Sequence, residues 1–133
     1  KYLDKVSKEA VRRGYSTTPA GRKRWYIKPD RTDPDYRRKI GSIERRAKNH
    51  PIQGTNADAI KYAFIYLDKR IKKEGLSAKI THTVHDEIVF EVKEEEAEYF
   101  GKVLSEEMVR ALELFVKKVP VISDHFVGEV WEH

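Results

Sequence analysis

Thr81-His82-Thr83-Val84-His85-Asp86-Glu87-Ile88-Val89-Phe90-Glu91-Val92 places three ionisable side chains between two short apolar runs. The flanks, Ile80 to Val84 and Ile88 to Val92, are rich in β-branched residues, so the stretch predicts a β-hairpin with His85, Asp86 and Glu87 at its tip. A two-residue hairpin turn favours Asn-Gly or Asp-Gly because its central residues need positive φ, and no glycine occurs here. Charge stands where turn chemistry would have put glycine.

Adjacent carboxylates on such a turn have a bland explanation and a functional one. They can be solvated turn residues, or they can hold a hard cation. Mg²⁺ takes oxygen ligands, usually one or two protein carboxylates completed by water and substrate phosphates. The rigid apolar strands on both sides favour the second reading. A zinc pair from His82 and His85 is a weaker idea, because residues three apart on a strand face opposite ways. His82, with Ile80 and Val84 as same-face neighbours, is expected to pack within the sheet.

The 133 residues are enough for one domain or part of one. Lys and Arg number 27 against 22 Asp and Glu, giving a net charge of +5 that suggests a polyanionic partner, nucleic acid first. No apolar run reaches the length of a membrane span and no signal-peptide core is present, so a soluble, intracellular, cytoplasmic protein is expected. Zero cysteines exclude disulfides and thiolate metal sites. Abundant Lys and Glu with scarce Asn, Gln and Met point toward a thermophilic origin. Asn49, Gln53 and Asn56 are the only carboxamides, and their gathering within eight positions suggests a requirement there. The single methionine is Met108 while the chain starts at Lys1, which suggests either that processing removed something or that this is a piece of a longer polypeptide.

At the N-terminal end, Tyr2, Leu3, Val6 and Ala10 form a helical stripe that stops at Gly14, with Arg12 and Arg13 in the last turn. Tyr15 to Thr18 and Arg22 to Ile27 read as strands joined by Pro19-Ala20-Gly21. The second, with RKRWY, interleaves cations and aromatics, as nucleic-acid surfaces do and as solvated edge strands also do. Lys28 to Tyr36 is expected to be an exposed loop whose aspartates serve its turns. A basic helix from about Arg37 to Asn49 should break at Pro51, and a second should open with Thr55 as its N-cap. That second helix buries Ala57, Ile60, Phe64, Leu67 and Ile71 and ends at Gly75. Glu94 to Glu98 is acidic because it opens a helix with an Ala97, Phe100, Leu104, Met108, Ala111, Phe115 stripe. Val119 to Val130 reads as a strand. Elements in this order give an α+β fold with an antiparallel sheet packed with helices.

ERRAKNHPIQGTNADAIK at 44–61, THTVHDEIVFEV at 81–92 and the terminal VGEVWEH closely resemble the C-terminal palm of family A, DNA polymerase I-type, enzymes. RRGYSTTPAGRKR is similar to the stretch that precedes those motifs in the same family. The resemblance implies that residues 1–133 form the C-terminal part of a polymerase palm. It implies that Asp86 and Glu87 are catalytic and metal-binding residues, serving Mg²⁺ in a two-metal site, with His85 near the primer terminus. Arg45, Asn49 and Gln53 would lie along primer-template DNA, with Arg22 and Arg24 as further DNA-binding residues. Deoxynucleoside triphosphates would be the other substrates. The family's first motif, which carries the opposing aspartate, and its fingers helix have no counterpart in this sequence. The remainder of the polymerase, as a second polypeptide or a missing segment, would then be a partner. The alternative is a non-catalytic basic module that binds nucleic acid.

Overall fold

The computed structural model describes residues 1–131, so Glu132 and His133, the end of the VGEVWEH stretch, lie outside it. It has seven elements in chain order: α1 (Tyr2–Arg13), β1 (Tyr15–Thr17), β2 (Lys23–Trp25), α2 (Tyr36–Glu74), β3 (Lys79–Val84), β4 (Glu87–Glu91) and α3 (Glu94–Glu113). The α+β class is as expected, but the antiparallel sheet is two separate hairpins, β1 with β2 and β3 with β4. The chain divides into two compact units, Lys1–Asn56 and Ala57–His133.

In the first unit, α1 stops where the sequence requires. Gly14 takes φ 83° and its amide donates to the Ala10 carbonyl at 2.8 Å, closing the helix with the left-handed residue that glycine alone adopts without penalty. The Tyr26 amide then donates to the Gly14 carbonyl at 2.8 Å, bringing β2 back alongside β1. Ala10, Tyr26, Ile43 and Ala47 form the core, with Val11 and Ile40 at its margin. The intervening loop behaves as its aspartates promised. Asp30 accepts from the Thr32 amide at 2.9 Å and Asp33 from the Asp35 amide at 2.8 Å, so both shape turns.

Pro51 does not break the helix and Thr55 is not an N-cap, because α2 runs without interruption from Tyr36 to Glu74. Proline within a helix removes one backbone bond and costs roughly 3 kcal/mol. Burial offsets this, since Ala47, His50, Pro51 and Gly54 all face inward. The Thr55 hydroxyl donates back to the Pro51 carbonyl, as hydroxyls inside helices do. Gly54 is required for contact rather than for conformation: a Cβ there would collide with the Thr18 methyl and sit 3.4 Å from the His50 ring.

Gly54→Ala therefore reverses the usual sign of that substitution. Alanine in a helix gains about 1 kcal/mol over glycine, but overpacking costs about 1–3 kcal/mol when neighbours cannot move. Thr18 is 4% exposed and its hydroxyl accepts from the Arg22 amide at 3.2 Å, so its methyl has little room to turn. A lower melting temperature for Gly54→Ala is expected by calorimetry, and a higher one would overturn this account.

In the second unit the buried cluster is Leu67, Ala78, Phe100 and Val103. Each large aliphatic side chain so buried contributes about 1.5–3 kcal/mol. The α2 stripe holds at Ile60 and Leu67, with Ala59 and Ala63 buried beside them, whereas Ala57 is exposed. The buried line of α3 passes through Phe100, Val103, Glu107 and Ala111, leaving Leu104 and Met108 at its flank. A carboxylate tolerates this position because Arg70 lies 3.2 Å and Arg110 3.4 Å from Glu107. Arg70 also meets Glu106 at 2.6 Å and Glu74 at 2.9 Å, and these acceptors, Glu106 foremost, hold its guanidinium even more firmly protonated than usual.

Val119 to Val130 contains no strand. A segment rich in β-branched residues becomes a strand only when a neighbouring strand takes up its backbone groups. Here the segment instead fastens through His125, whose ring lies against Gly101 and whose Nδ1 is 2.8 Å from the Ser105 hydroxyl. Ile122, Phe126 and Val130 remain largely exposed.

Candidate functional site

The hairpin tip has the form that the sequence predicts, with one sharper detail. Val84 pairs with Glu87, so the turn is the two residues His85 and Asp86, and Glu87 is already the first residue of β4. His85 takes φ 54°, the one positive φ at a non-glycine residue among those described. The required left-handed residue is thus supplied by histidine, a type that tolerates it better than most but still at about 1–3 kcal/mol. Residues held in this conformation cluster at functional sites, and here it falls at the turn residue immediately before Asp86 and Glu87. All three tip side chains are exposed. The Thr83 hydroxyl donates to the Glu87 carbonyl at 2.9 Å and stiffens the turn from inside.

The expectation that His82 packs within the sheet is corrected by a bulge. The register runs from Ile80 opposite Phe90 to His82 opposite Val89, leaving Thr81 as the additional residue. A bulge shifts the two-residue alternation and re-aims the side chains beyond it, so Ile80 and His82 no longer share a face. His82 is exposed and meets Trp131 edge-on, with ring centroids 4.5 Å apart.

A clasp holds the base of this hairpin. Glu96, in the first turn of α3, accepts from the Ser77 hydroxyl at 2.6 Å and from the Ser77 amide at 2.8 Å. The Lys93 amide donates to the same Ser77 hydroxyl at 3.1 Å. These bonds, the hydroxyl's first, hold the Glu96 carboxyl below the ordinary carboxylate range. Ser77 precedes β3 and Lys93 comes after β4, so the two ends of the hairpin meet at the Ser77 hydroxyl, which the Glu96 carboxylate holds in place. Phe90 completes the anchorage by packing on Phe100 at 5.0 Å.

Asp86 and Glu87 offer neighbouring hard oxygen donors in contact with water, which fits part of a Mg²⁺ coordination sphere. Among the described residues no three His, Asp or Glu side chains converge as a metal site.

In the other unit, Arg45, Asn49 and Gln53 are all exposed and succeed one another at intervals of four along α2. The unbroken helix gives them a common face, which a break at Pro51 would have denied Gln53. On the opposite side the helix is fixed by a buried chain that nothing in the sequence signals. The His50 Nδ1 lies 2.8 Å from the Ser16 hydroxyl, itself 2.8 Å from the Tyr26 hydroxyl, and all three residues are buried. Arg22, just before β2, and Arg24, within it, are exposed.

Charge divides sharply between the units. Lys1–Asn56 holds 16 Lys and Arg against 6 Asp and Glu, or +10, and Ala57–His133 holds 11 against 16, or −5.

A model of DNA polymerase family A matches residues 1–133. DNA polymerase I of Bacillus caldotenax is 37% identical over 98% of this chain, which covers 14% of that protein. DNA polymerase I of Bacillus subtilis is 40% identical over the same shares of the two chains. The POL domain of Pol1 from M. smegmatis, solved in complex with DNA primer-template and dNTP, superposes with a TM-score of 0.73 at 40% identity. The superposition covers 83% of this chain and 19% of that one. The chain thus spans about one-seventh of the length of these curated relatives.

Proposed function

The chain belongs to DNA polymerase family A, and from that premise we propose that it is the C-terminal part of a polymerase palm, acting in template-directed DNA synthesis by two-metal nucleotidyl transfer. The observation that carries this reading is the strained tip, where His85 adopts a left-handed conformation and Asp86 and Glu87 stand outward on a clasped hairpin. Family A polymerases generally use Mg²⁺. Asp86 would supply its principal ligand from this chain, with Glu87 beside it and His85 toward the primer terminus. When bound, the paired ions stabilise charge on the attacking 3′-oxygen and on the leaving pyrophosphate. The opposing aspartate and the cations that hold the incoming deoxynucleoside triphosphate would come from polymerase residues outside these 133.

Arg45, Asn49 and Gln53 would line the duplex near the newest base pair, and Arg22 and Arg24 would meet the backbone. The types suit the task. Minor-groove acceptors occur at both A·T and T·A pairs, so donors on one helix face test the shape of a pair without reading its sequence. Among the described residues no helix is long and apolar enough to cross a membrane.

The interface half is tested by primer extension with the enzyme assembled from this chain and the remainder of a family A polymerase. Arg45→Ala, and more mildly Gln53→Ala, is expected to slow extension from matched termini and to narrow the preference over mismatched ones. A residue touching phosphate alone would instead weaken binding uniformly and reduce the salt slope by about one. Unchanged extension and fidelity in both variants would remove these residues from the duplex.

A further inference from the structure

The outer face of the β1–β2 hairpin carries a feature that the polymerase reading does not use. Tyr15 pairs with Trp25 and Thr17 with Lys23, so these four side chains share a face, while buried Ser16 points the other way. Tyr15 and Trp25 lie 4.9 Å apart between ring centroids. The Lys23 ammonium stands over both, 4.9 Å from the Tyr15 ring and 5.7 Å from that of Trp25. Trp25 nonetheless remains 68% exposed, and Ile27 just beyond it 96%. A tryptophan whose ring is steadied by a neighbour and a cation, yet open to water, is a preformed stacking surface.

The setting indicates what covers it. The patch belongs to the unit that carries +10, and Lys23 stands on the ring's own face, whereas Arg24, paired with Ser16, lies on the other. Beyond Tyr15 a groove of about 280 Å³ between α1 and β1 is lined by Lys5 and Arg13, with Glu9 at 3.9 Å from Arg13. An apolar partner would leave these cations facing it, and an acidic peptide would have no use for the open ring. An unpaired polynucleotide strand satisfies both, with its phosphates on the cations and a base on the indole. We propose that Trp25, steadied by Tyr15 and Lys23, is a stacking platform for an unpaired nucleobase of a single-stranded nucleic acid, such as a template strand not yet copied. Duplex DNA, whose bases are already stacked, would contact the cations and leave the ring alone.

The test uses the whole chain carrying Trp131→Phe, so that Trp25 is the sole tryptophan. Its fluorescence is titrated at low salt with an oligothymidylate of roughly ten nucleotides, a typical span for one binding module, with an abasic oligomer of the same length, and with a blunt duplex. Oligothymidylate is expected to quench Trp25, and the abasic oligomer and the duplex to bind without quenching. Trp25→Ala should weaken oligothymidylate binding about tenfold, as loss of one base stack does, and leave abasic binding unchanged, while Trp25→Phe should keep most of the affinity. Trp25 is exposed, so neither substitution opens the core. Equal affinity for the abasic and base-bearing strands, quenching by the duplex as strong as by the single strand, or no binding of oligothymidylate would each overturn the proposal. Asp86→Asn leaves the quenching unchanged, so the platform stands or falls apart from the catalytic reading.

Discussion

Asp86→Asn in the assembled enzyme is expected to lose nucleotide incorporation by on the order of 10²–10⁴-fold while primer-template binding stays within a few-fold. The substitution keeps the shape of the side chain and removes its charge. A carboxylate that ligates the ions contributes several kcal/mol of stabilisation where charge develops in the transition state, and ground-state contacts to DNA do not depend on it. Asp86 is exposed at the turn and occupies its non-strained position, so the fold tolerates asparagine. Glu87→Gln should hurt less, because Glu87 already lies within β4 beside the tip rather than at its apex. Single-turnover incorporation and a separate binding titration measure the two quantities. Retention of most turnover by Asp86→Asn would end the assignment, and DNA binding indifferent to both Asp86 and Mg²⁺ would favour a non-catalytic basic module.

The 133-residue chain by itself is expected to give no Mg²⁺-dependent primer extension, and to acquire it when the remainder of a related polymerase is supplied as a separate polypeptide. Two carboxylates on a hairpin tip hold Mg²⁺ weakly, and no third acidic or histidine ligand joins them among the described residues. Positioning two ions and a triphosphate also needs cations on the nucleotide. The effect is therefore all or nothing. Extension is measured with the purified chain, with the added polypeptide, and with both together. Robust extension by the lone chain would refute the fragment reading, and so would failure of the pair to extend when both are folded and associated.

Local signals in the sequence carried the elements well. Gly14 and Gly75 end their helices with φ 83° and 65°, and the apolar runs around His85-Asp86-Glu87 form the hairpin. Expectations failed where distant contacts outweigh local preference. Pro51 is a local signal to stop, but burial of Ala47, His50 and Gly54 is worth more than the bond it removes. The bulge at Thr81 leaves no trace in an alternating sequence, so the facing of His82 could not be read. Val119 to Val130 is rich in β-branched residues, but Pro120, Gly128 and the polar run Ser123-Asp124-His125 break any alternation, so its strand-like composition misled. The Ser16, His50 and Tyr26 chain joins residues up to 34 positions apart, and none of the three is unusual in its own neighbourhood. The candidate site residues lie in compact runs, so residue types raised a hard-cation reading for Asp86 and Glu87 and a requirement at Asn49 and Gln53, while the resemblance to family A polymerases is what suggested their roles and added His85 and Arg45.

The clasp around Ser77 sets a gradient of local unfolding along the hairpin. Most of β3 is exposed, and such segments open at a small fraction of the global unfolding free energy. The base cannot open so easily, because the Ser77 amide and hydroxyl, Glu96 and the Lys93 amide must separate together. Opening is thus confined to the tip, and the strands below it keep their register. Acid weakens this restraint: the Glu96 carboxyl titrates below its unfolded value, so its contribution is present above the ordinary glutamate range and fades as pH falls through the lowered one. The hairpin then behaves as a cantilever whose root loosens only in acid.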